Sequence, residues 1–231
     1  MMRPQAVLVD FYGTVVEEDD RVITEIRGEI AAASRTHATA ATVGSLWWST
    51  FQRLCTSSYG DTFRLQRDLE LISLEAVLAE CEAELDAHDL SEHLFAYWSA
   101  PQVFPESLNA LAACSVPICL VSNIDTIDLQ AALTHFGVSF DYVVTSQDVR
   151  AYKPRREPFD RALDLLGLQA HQVLHVGDSF GSDIVGAHDL GIPTLWINRK
   201  RRRPPIADIA DYVAEDLRGL PALLAGDART T

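Results

Sequence analysis

The chain has 231 residues, 48% of them hydrophobic, enough to bury one large core or a core with an insert. Thirty-three acidic and 19 basic residues leave a net charge of −14, which argues against a general nucleic-acid binder. No apolar run reaches the length of a membrane span, and the stretch before Asp10 is too short for a signal peptide.

The first element is "QAVLVDF" (5–11), a continuous apolar run expected of a strand buried on both faces. It ends on Asp10 and passes into the turn Gly13-Thr14. From about Asp19 to Ala100 the periodicity is helical. "DRVITEIRGEIAAASR" (20–35), "SLWWSTFQRL" (45–54) and "SLEAVLAECEAEL" (73–85) predict helices, and "SEHLFAYW" (91–98) opens another. In the third, Leu74, Val77, Leu78, Cys81 and Leu85 share a face, and Ser73 is the expected N-cap. The acids of "EEDD" (17–20) suit the start of the first of these helices.

Four further short apolar runs follow: 117–122, 141–146, 172–179 and 193–198. Helical patterns separate them, over 127–137, 157–167 and 182–191, and each pattern closes on Gly, the usual left-handed cap. "ADYVAED" (210–216) predicts a last edge strand. Strand and helix alternating at this spacing give an α/β fold, a Rossmann-like parallel sheet core with a helical domain inserted after the first strand. The expected core is 1–16 plus 102–231, and the insert is 17–101. An insert there stands above the C-terminal edge of the sheet, where ligands bind in open α/β folds.

That edge collects Asp10, then Ser122 and Asn123, then Lys153, then Asp178 and Asp183. Each alone reads as a cap, a turn or a surface residue. Lys153 is one of only two lysines, with Lys200, so a lysine beside a strand end is informative. Cys55, Cys81, Cys114 and Cys119 form no CxxC pair and are expected to be free thiols of a cytoplasmic protein. "NRKRRRPP" (198–205) reads as a solvated loop, with a basic docking patch as the alternative. His171 and His175, four apart in a strand context, are poorly placed to share a zinc ion.

The pieces "DFYGTVV" (10–16), "VSN" (121–123), "YKP" (152–154) and "VGDSFGSDIVGA" (176–187) together resemble the haloacid dehalogenase (HAD) superfamily of hydrolases. "LGIPTLWINR" (190–199) is similar to the family's fifth strand, and the insert to its mobile cap. The resemblance implies that Asp10 is a nucleophile forming a covalent aspartyl intermediate. It implies that Thr14 supports the loop, that Ser122 and Asn123 bind substrate oxygens, and that Lys153 neutralises charge beside Asp10. It further implies that Asp10, the Tyr12 carbonyl, Asp178 and Asp183 hold Mg²⁺ directly or through water. A carboxylate approaching a phosphate at about 4 Å meets roughly 4 kcal/mol of repulsion per unit pair at an effective dielectric of about 20, so such a site needs cations.

The resemblance points to two chemistries. Family phosphatases carry a second Asp, a general acid–base, where this chain has Tyr12. Tyr there resembles the 2-haloacid dehalogenase branch, whose halide leaves unprotonated and whose mechanism uses no metal. That branch also places an Arg in the cap after a Leu-Trp pair. Here Leu46-Trp47 is followed by Trp48, and Arg53 is the candidate substrate-binding arginine. It shows "SSN" where this chain has "GDS" (177–179), and the latter is similar to the metal-binding form. Phosphonoacetaldehyde hydrolases need a cap lysine, and residues 19–100 have none. The expectation is therefore a Mg²⁺-dependent hydrolase of a small phosphorylated metabolite, one with a good leaving group needing less acid assistance. A dehalogenase-like hydrolase of a small carboxylic acid comes second, and a catalytically weak protein binding a ligand or partner comes third.

Overall fold

Residues 3–205 and 209–226 are described by the structure, a computed structural model. The expected core limits at residues 1 and 231 lie outside them. Alternation along each strand builds a core on both faces of the sheet. In β1 (Ala6–Val9), Val7 and Val9 join one apolar cluster while Ala6 and Leu8 join another. β2 (Ile118–Ser122) divides the same way, with Leu120 on one side and Cys119 and Val121 on the other. Each buried Val or Leu contributes about 1.5–3 kcal/mol.

The remaining strands are β3 (Tyr142–Thr145), β4 (Val173–Gly177), β5 (Thr194–Ile197) and β6 (Tyr212–Ala214). All six pair in parallel in the order β3-β2-β1-β4-β5-β6. The chain therefore fills one side of β1 and then the other. The crevice at the carboxyl end of β1 is the topological switch point, and Asp10 follows β1 directly.

Four long helices fall between β1 and β2: α1 (Asp20–Ala33), α2 (Ala40–Ser57), α3 (Gln66–Glu80) and α4 (Ala87–Ser99). Their apolar faces, among them Val22, Ile26, Trp47, Leu74 and Leu94, belong to the same cluster as Val7, Val9 and Leu120 of the sheet. No helix among the described residues is long and apolar enough to cross a membrane.

Two expectations for the insert are corrected. Ser73 is not an N-cap: α3 starts seven residues earlier, and Ser73 lies buried at mid-helix. Its hydroxyl donates to the Glu70 carbonyl at 2.7 Å and accepts from Trp47 Nε1 at 3.0 Å. The true start is capped from elsewhere in the chain. Asp125, just before the core helix that starts at Thr126, accepts from the backbone N–H of Gln66 at 2.8 Å and of Arg67 at 3.0 Å. Leu85 lies beyond the end of α3 and is 36% exposed, so it does not extend the buried face.

The core helices are α5 (Ser107–Ala112), α6 (Thr126–Phe136), the short α7 (Ser146–Val149) and α8 (Arg156–Leu166). After β4 a π-helical turn over Phe180–Val185 runs into α9 (Gly186–His188), and α10 (Leu220–Ala225) closes the described chain. Gly137 and Gly167 cap α6 and α8 with φ near +64°, as expected from their place after the last turn.

The basic run after β5 is an exposed loop, as expected, and its first residues are tied down. Arg199 donates to Glu106 Oε1 at 2.8 Å and to the Thr14 carbonyl at 2.9 Å. Lys200 bonds Glu18 at 2.6 Å and also Asp20, at the entrance to α1. The run ties the edge of the core to the start of the insert.

Candidate active site

Strand ends bring the predicted residues together. Lys153 is 4% exposed, and its Nζ donates to Asp10 Oδ1 at 2.8 Å, Asp183 Oδ1 at 2.6 Å and the Val121 carbonyl at 2.7 Å. Asp10, Asp178 and Asp183 each offer an oxygen within 4.8 Å of the other two. Thr14 Oγ1 donates to Asp10 Oδ2 at 3.2 Å.

Two glycines make room for two of these acids. A Cβ on Gly13 would fall 2.4 Å from Asp178 Oδ1, and one on Gly177 would fall 2.3 Å from Asp183 Cγ. Gly13 also has φ +87°, which lets the first loop fold back under Asp178. The π-helical turn sets Asp183 so that the Ser179 N–H donates to its Oδ2 at 3.0 Å. Its Oδ1 faces His175 Nε2 at 3.0 Å as well as Lys153.

The electrostatics follow from burial and charge. Burial works against the Lys153 ammonium, but Asp10 and Asp183 outweigh it and hold its pKa above the ordinary lysine value. Burial pushes Asp183 up, and Lys153 and His175 more than offset that, leaving it below the usual carboxylate range. Burial lifts Asp10 above that range, with Lys153 opposing and the charge of Asp183 adding. Asp178 is raised further, by burial and then by the charges of Asp10, Glu18 and Asp183. His175 is lowered, chiefly by burial, which favours a neutral imidazole. Two of the three acids, Asp10 and Asp183, thus share one lysine.

The other expected site residues divide. Ser122 is 2% exposed and lines the cavity above Asp10. Asn123 lines it too, but its side chain is committed: Nδ2 donates to the Lys153 carbonyl at 3.0 Å, and Oδ1 accepts from the Lys153 N–H at 2.7 Å. Through these two bonds it positions Lys153. Tyr12 borders the cavity, and its hydroxyl donates to the Trp98 carbonyl at the end of α4, at 2.5 Å. Burial, followed by the charges of Asp128 and Asp19, raises that phenol above its ordinary value, so it is no acid at neutral pH. Tyr12 fastens the insert to the first loop.

Arg53 does not join the site. It is exposed, while Phe51, Gln52, Cys55 and Thr56 of the same helix line the cavity. At 100° per residue, position 53 turns away from that face. His171 and His175 share no site either: His175 sits beneath Asp183, and the carboxylate trio is the metal-capable group found among the described residues.

Sequence reasoning missed Glu70. It lies on α3, is 6% exposed, and lines the same cavity of about 530 Å³ as Asp10. Burial, then the charge of Asp19, pushes its carboxyl up to about 8 from the usual 4.5, against hydrogen bonds from Trp47 and Ser73. The folded protein therefore holds this proton more tightly than the unfolded chain, and stability falls as pH rises from about 4.5 to about 8. Glu70→Gln should flatten that slope. Expected is a gain on the order of a few kcal/mol at pH 8 and little change at pH 4.5. Urea melts of both proteins at the two pH values check it, and equal gains at both would refute the assignment.

Comparisons with known proteins agree with this geometry. Residues 4–191 match the family described as haloacid dehalogenase-like hydrolase. The chain belongs to that family. Among relatives, the haloacid dehalogenase-like hydrolase domain-containing protein 3 of Danio rerio is 33% identical over 144 residues, 58% of this chain and 59% of that protein. The (S)-2-haloacid dehalogenase of Pseudomonas sp. (strain YL) is 32% identical over 97 residues, 41% of each chain. A Yersinia pestis phosphoglycolate phosphatase is 35% identical over 116 residues, 47% of this chain and 50% of its own. The matches thus span about half the length of these relatives. An L-2-haloacid dehalogenase structure superposes with TM-score 0.79 at 22% identity, covering 97% of this chain and 100% of its own. The HAD-hydrolase YfnB of Bacillus subtilis, solved with magnesium, gives 0.74 at 18%, with the same coverage. At these identities the structures establish the shared fold alone. The relatives of this HAD-like chain include both dehalogenases and phosphatases.

Proposed function

We propose that this hydrolase removes the phosphoryl group from a small phosphorylated metabolite, with Mg²⁺ as cofactor and the insert acting as a cap. The observation that carries the reading is the carboxylate trio, three acids within 4.8 Å of one another, of which Lys153 pairs with two. Buried like charges at that spacing disfavour full ionisation unless a cation joins them. The donor set fits a hard divalent ion, being all oxygen. Asp10, Asp178 and the Tyr12 backbone carbonyl would hold it directly. Asp183, whose oxygens already accept from Lys153, His175 and the Ser179 N–H, would hold it directly or through water. When bound, Mg²⁺ neutralises charge between Asp10 and the phosphoryl oxygens.

Lys153 keeps Asp10 Oδ1 fixed and supplies the second positive charge. Thr14 holds Oδ2. Asp10 attacks phosphorus, the bond from phosphorus to the leaving oxygen breaks, and that oxygen takes its proton from solvent, since Tyr12 gives none. Water then attacks the aspartyl phosphate, releasing inorganic phosphate and restoring Asp10. Four free thiols among the described residues support a cytoplasmic setting.

A second reading, hydrolytic removal of halide from a small 2-haloacid, is favoured by Tyr12 standing where a phosphatase needs an acid. The test is a turnover screen of phosphate esters, acyl phosphates and 2-haloacids, each with Mg²⁺ and with EDTA. The first reading expects phosphate release that EDTA abolishes and Mg²⁺ restores. Halide release indifferent to EDTA would replace it with the second.

A further inference from the structure

The cavity above Asp10 has two unlike ends. Its floor carries Lys153 and the carboxylate trio. Its roof, supplied by the insert, contributes Asp19 and Glu70, together with Trp47, Trp48 and Phe51, and no basic residue; Arg155 of the core also lines the wall, paired with Glu157 and stacked on Tyr59.

The two roof acids are unusual for want of a partner. Glu18 nearby pairs with Lys200 and Arg202. Asp19 instead accepts a neutral bond from Trp98 Nε1 at 2.8 Å, and among the described residues neither it nor Glu70 has a basic side chain bonded to it. Burial favours the protonated form of both carboxyls in the free protein, and a cation bound beside them would favour the ionised form. Beside them Trp48 is 61% exposed, a large aromatic face left open at the cavity wall rather than packed in the core. Aromatic faces next to carboxylates are the chemistry that recognises organic cations.

Resting on the phosphatase reading above, we propose that the substrate is a phosphate ester whose leaving alcohol bears an ammonium group, read by Asp19, Glu70 and the tryptophan wall. The phosphoryl group then meets the cationic floor and the ammonium meets the acidic roof. Burial keeps the Glu70 proton on up to about pH 8 in the free protein, and an arriving ammonium favours its ionised form, whereas a substrate carboxylate, which the haloacid and phosphoglycolate types both carry, gains no counter-charge at the roof. The choice also bears on the absent general acid. An ammonium close to the leaving oxygen withdraws electron density and lowers the basicity of the departing alkoxide, so it leaves with less help.

The experiment compares choline phosphate with 3,3-dimethylbutyl phosphate, its uncharged isostere, and with phosphoglycolate, all with Mg²⁺. Wild type should favour choline phosphate over the isostere by about 10-fold or more in kcat/KM, and phosphoglycolate should be the poorest. Glu70→Gln and, at an exposed position that leaves the fold alone, Trp48→Ala should each pull the ratio toward one. A ratio near one in wild type, or phosphoglycolate as the best substrate, overturns the inference while leaving the phosphatase reading standing. If no ester releases phosphate, that reading fails instead, and choline itself decides the roof. Saturable quenching of tryptophan fluorescence by choline, lost in Glu70→Gln, supports the cation site, and its absence in wild type overturns it.

Discussion

Asp10→Asn should lower turnover by roughly 10⁴-fold or more, on any substrate the screen identifies, while the protein still folds. An amide nitrogen and oxygen cannot replace a carboxylate that attacks and is later released. The change also removes the charge facing Lys153 Nζ at 2.8 Å, so the loss combines chemistry with a disturbed ion pair. Single turnover in ¹⁸O-water adds a sharper readout on the wild type. Hydrolysis of an aspartyl phosphate at phosphorus sends the label into phosphate and leaves Asp10 unlabelled. Hydrolysis of the carbon ester formed from a haloacid proceeds at the carbonyl and puts the label into Asp10. Only the third expectation, a ligand- or partner-binding role, predicts that Asp10→Asn leaves biological function intact.

Lys153→Met should destabilise the fold by about 3–5 kcal/mol at neutral pH and cut turnover by about 10²–10³. Lys153, Asp10 and Asp183 are each 5% exposed or less, so no water replaces the lost ammonium fully. Asp10 and Asp183 would then stand as unpaired like charges and take up protons. The penalty should shrink as pH falls toward 5, because Asp10 and Asp183 both take up protons in the mutant, while in the wild type Asp10 begins to protonate and Asp183 stays ionised beside Lys153. Urea melts at pH 5 and pH 8 measure this. A cost that is equal at the two pH values, or below about 1 kcal/mol, would mean that the lysine is a neutral strut.

The sheet was legible because buried parallel strands read as unbroken apolar runs, and Gly closed each helix between them. The floor of the site was legible for a related reason: its acids and lysine follow those strands, so topology alone assembles them. The roof was not. Glu70 stands in "QRDLELISLEAVL" beside Asp68 and Glu75, and in sequence the three acids look alike. Only the packing of α3 over the core separates the buried one. The start of α3 was hidden similarly, since its capping acid, Asp125, comes from 59 residues away. Arg53 shows the converse error, in which residue type was weighed without helical phase. The tyrosine at position 12 raised a chemical question whose answer is mechanical: its hydroxyl holds α4.

The apolar cluster that runs without a break from β1 into α1–α4 makes insert and core one cooperative unit. Calorimetry should therefore record a single melting transition. Excising residues 17–101 would strip a greasy roof from the sheet and yield an insoluble remnant rather than a minimal catalyst. For anyone grafting a new specificity onto this scaffold, the whole insert is thus the wrong unit to exchange, and the side chains lining its inner wall are the right one.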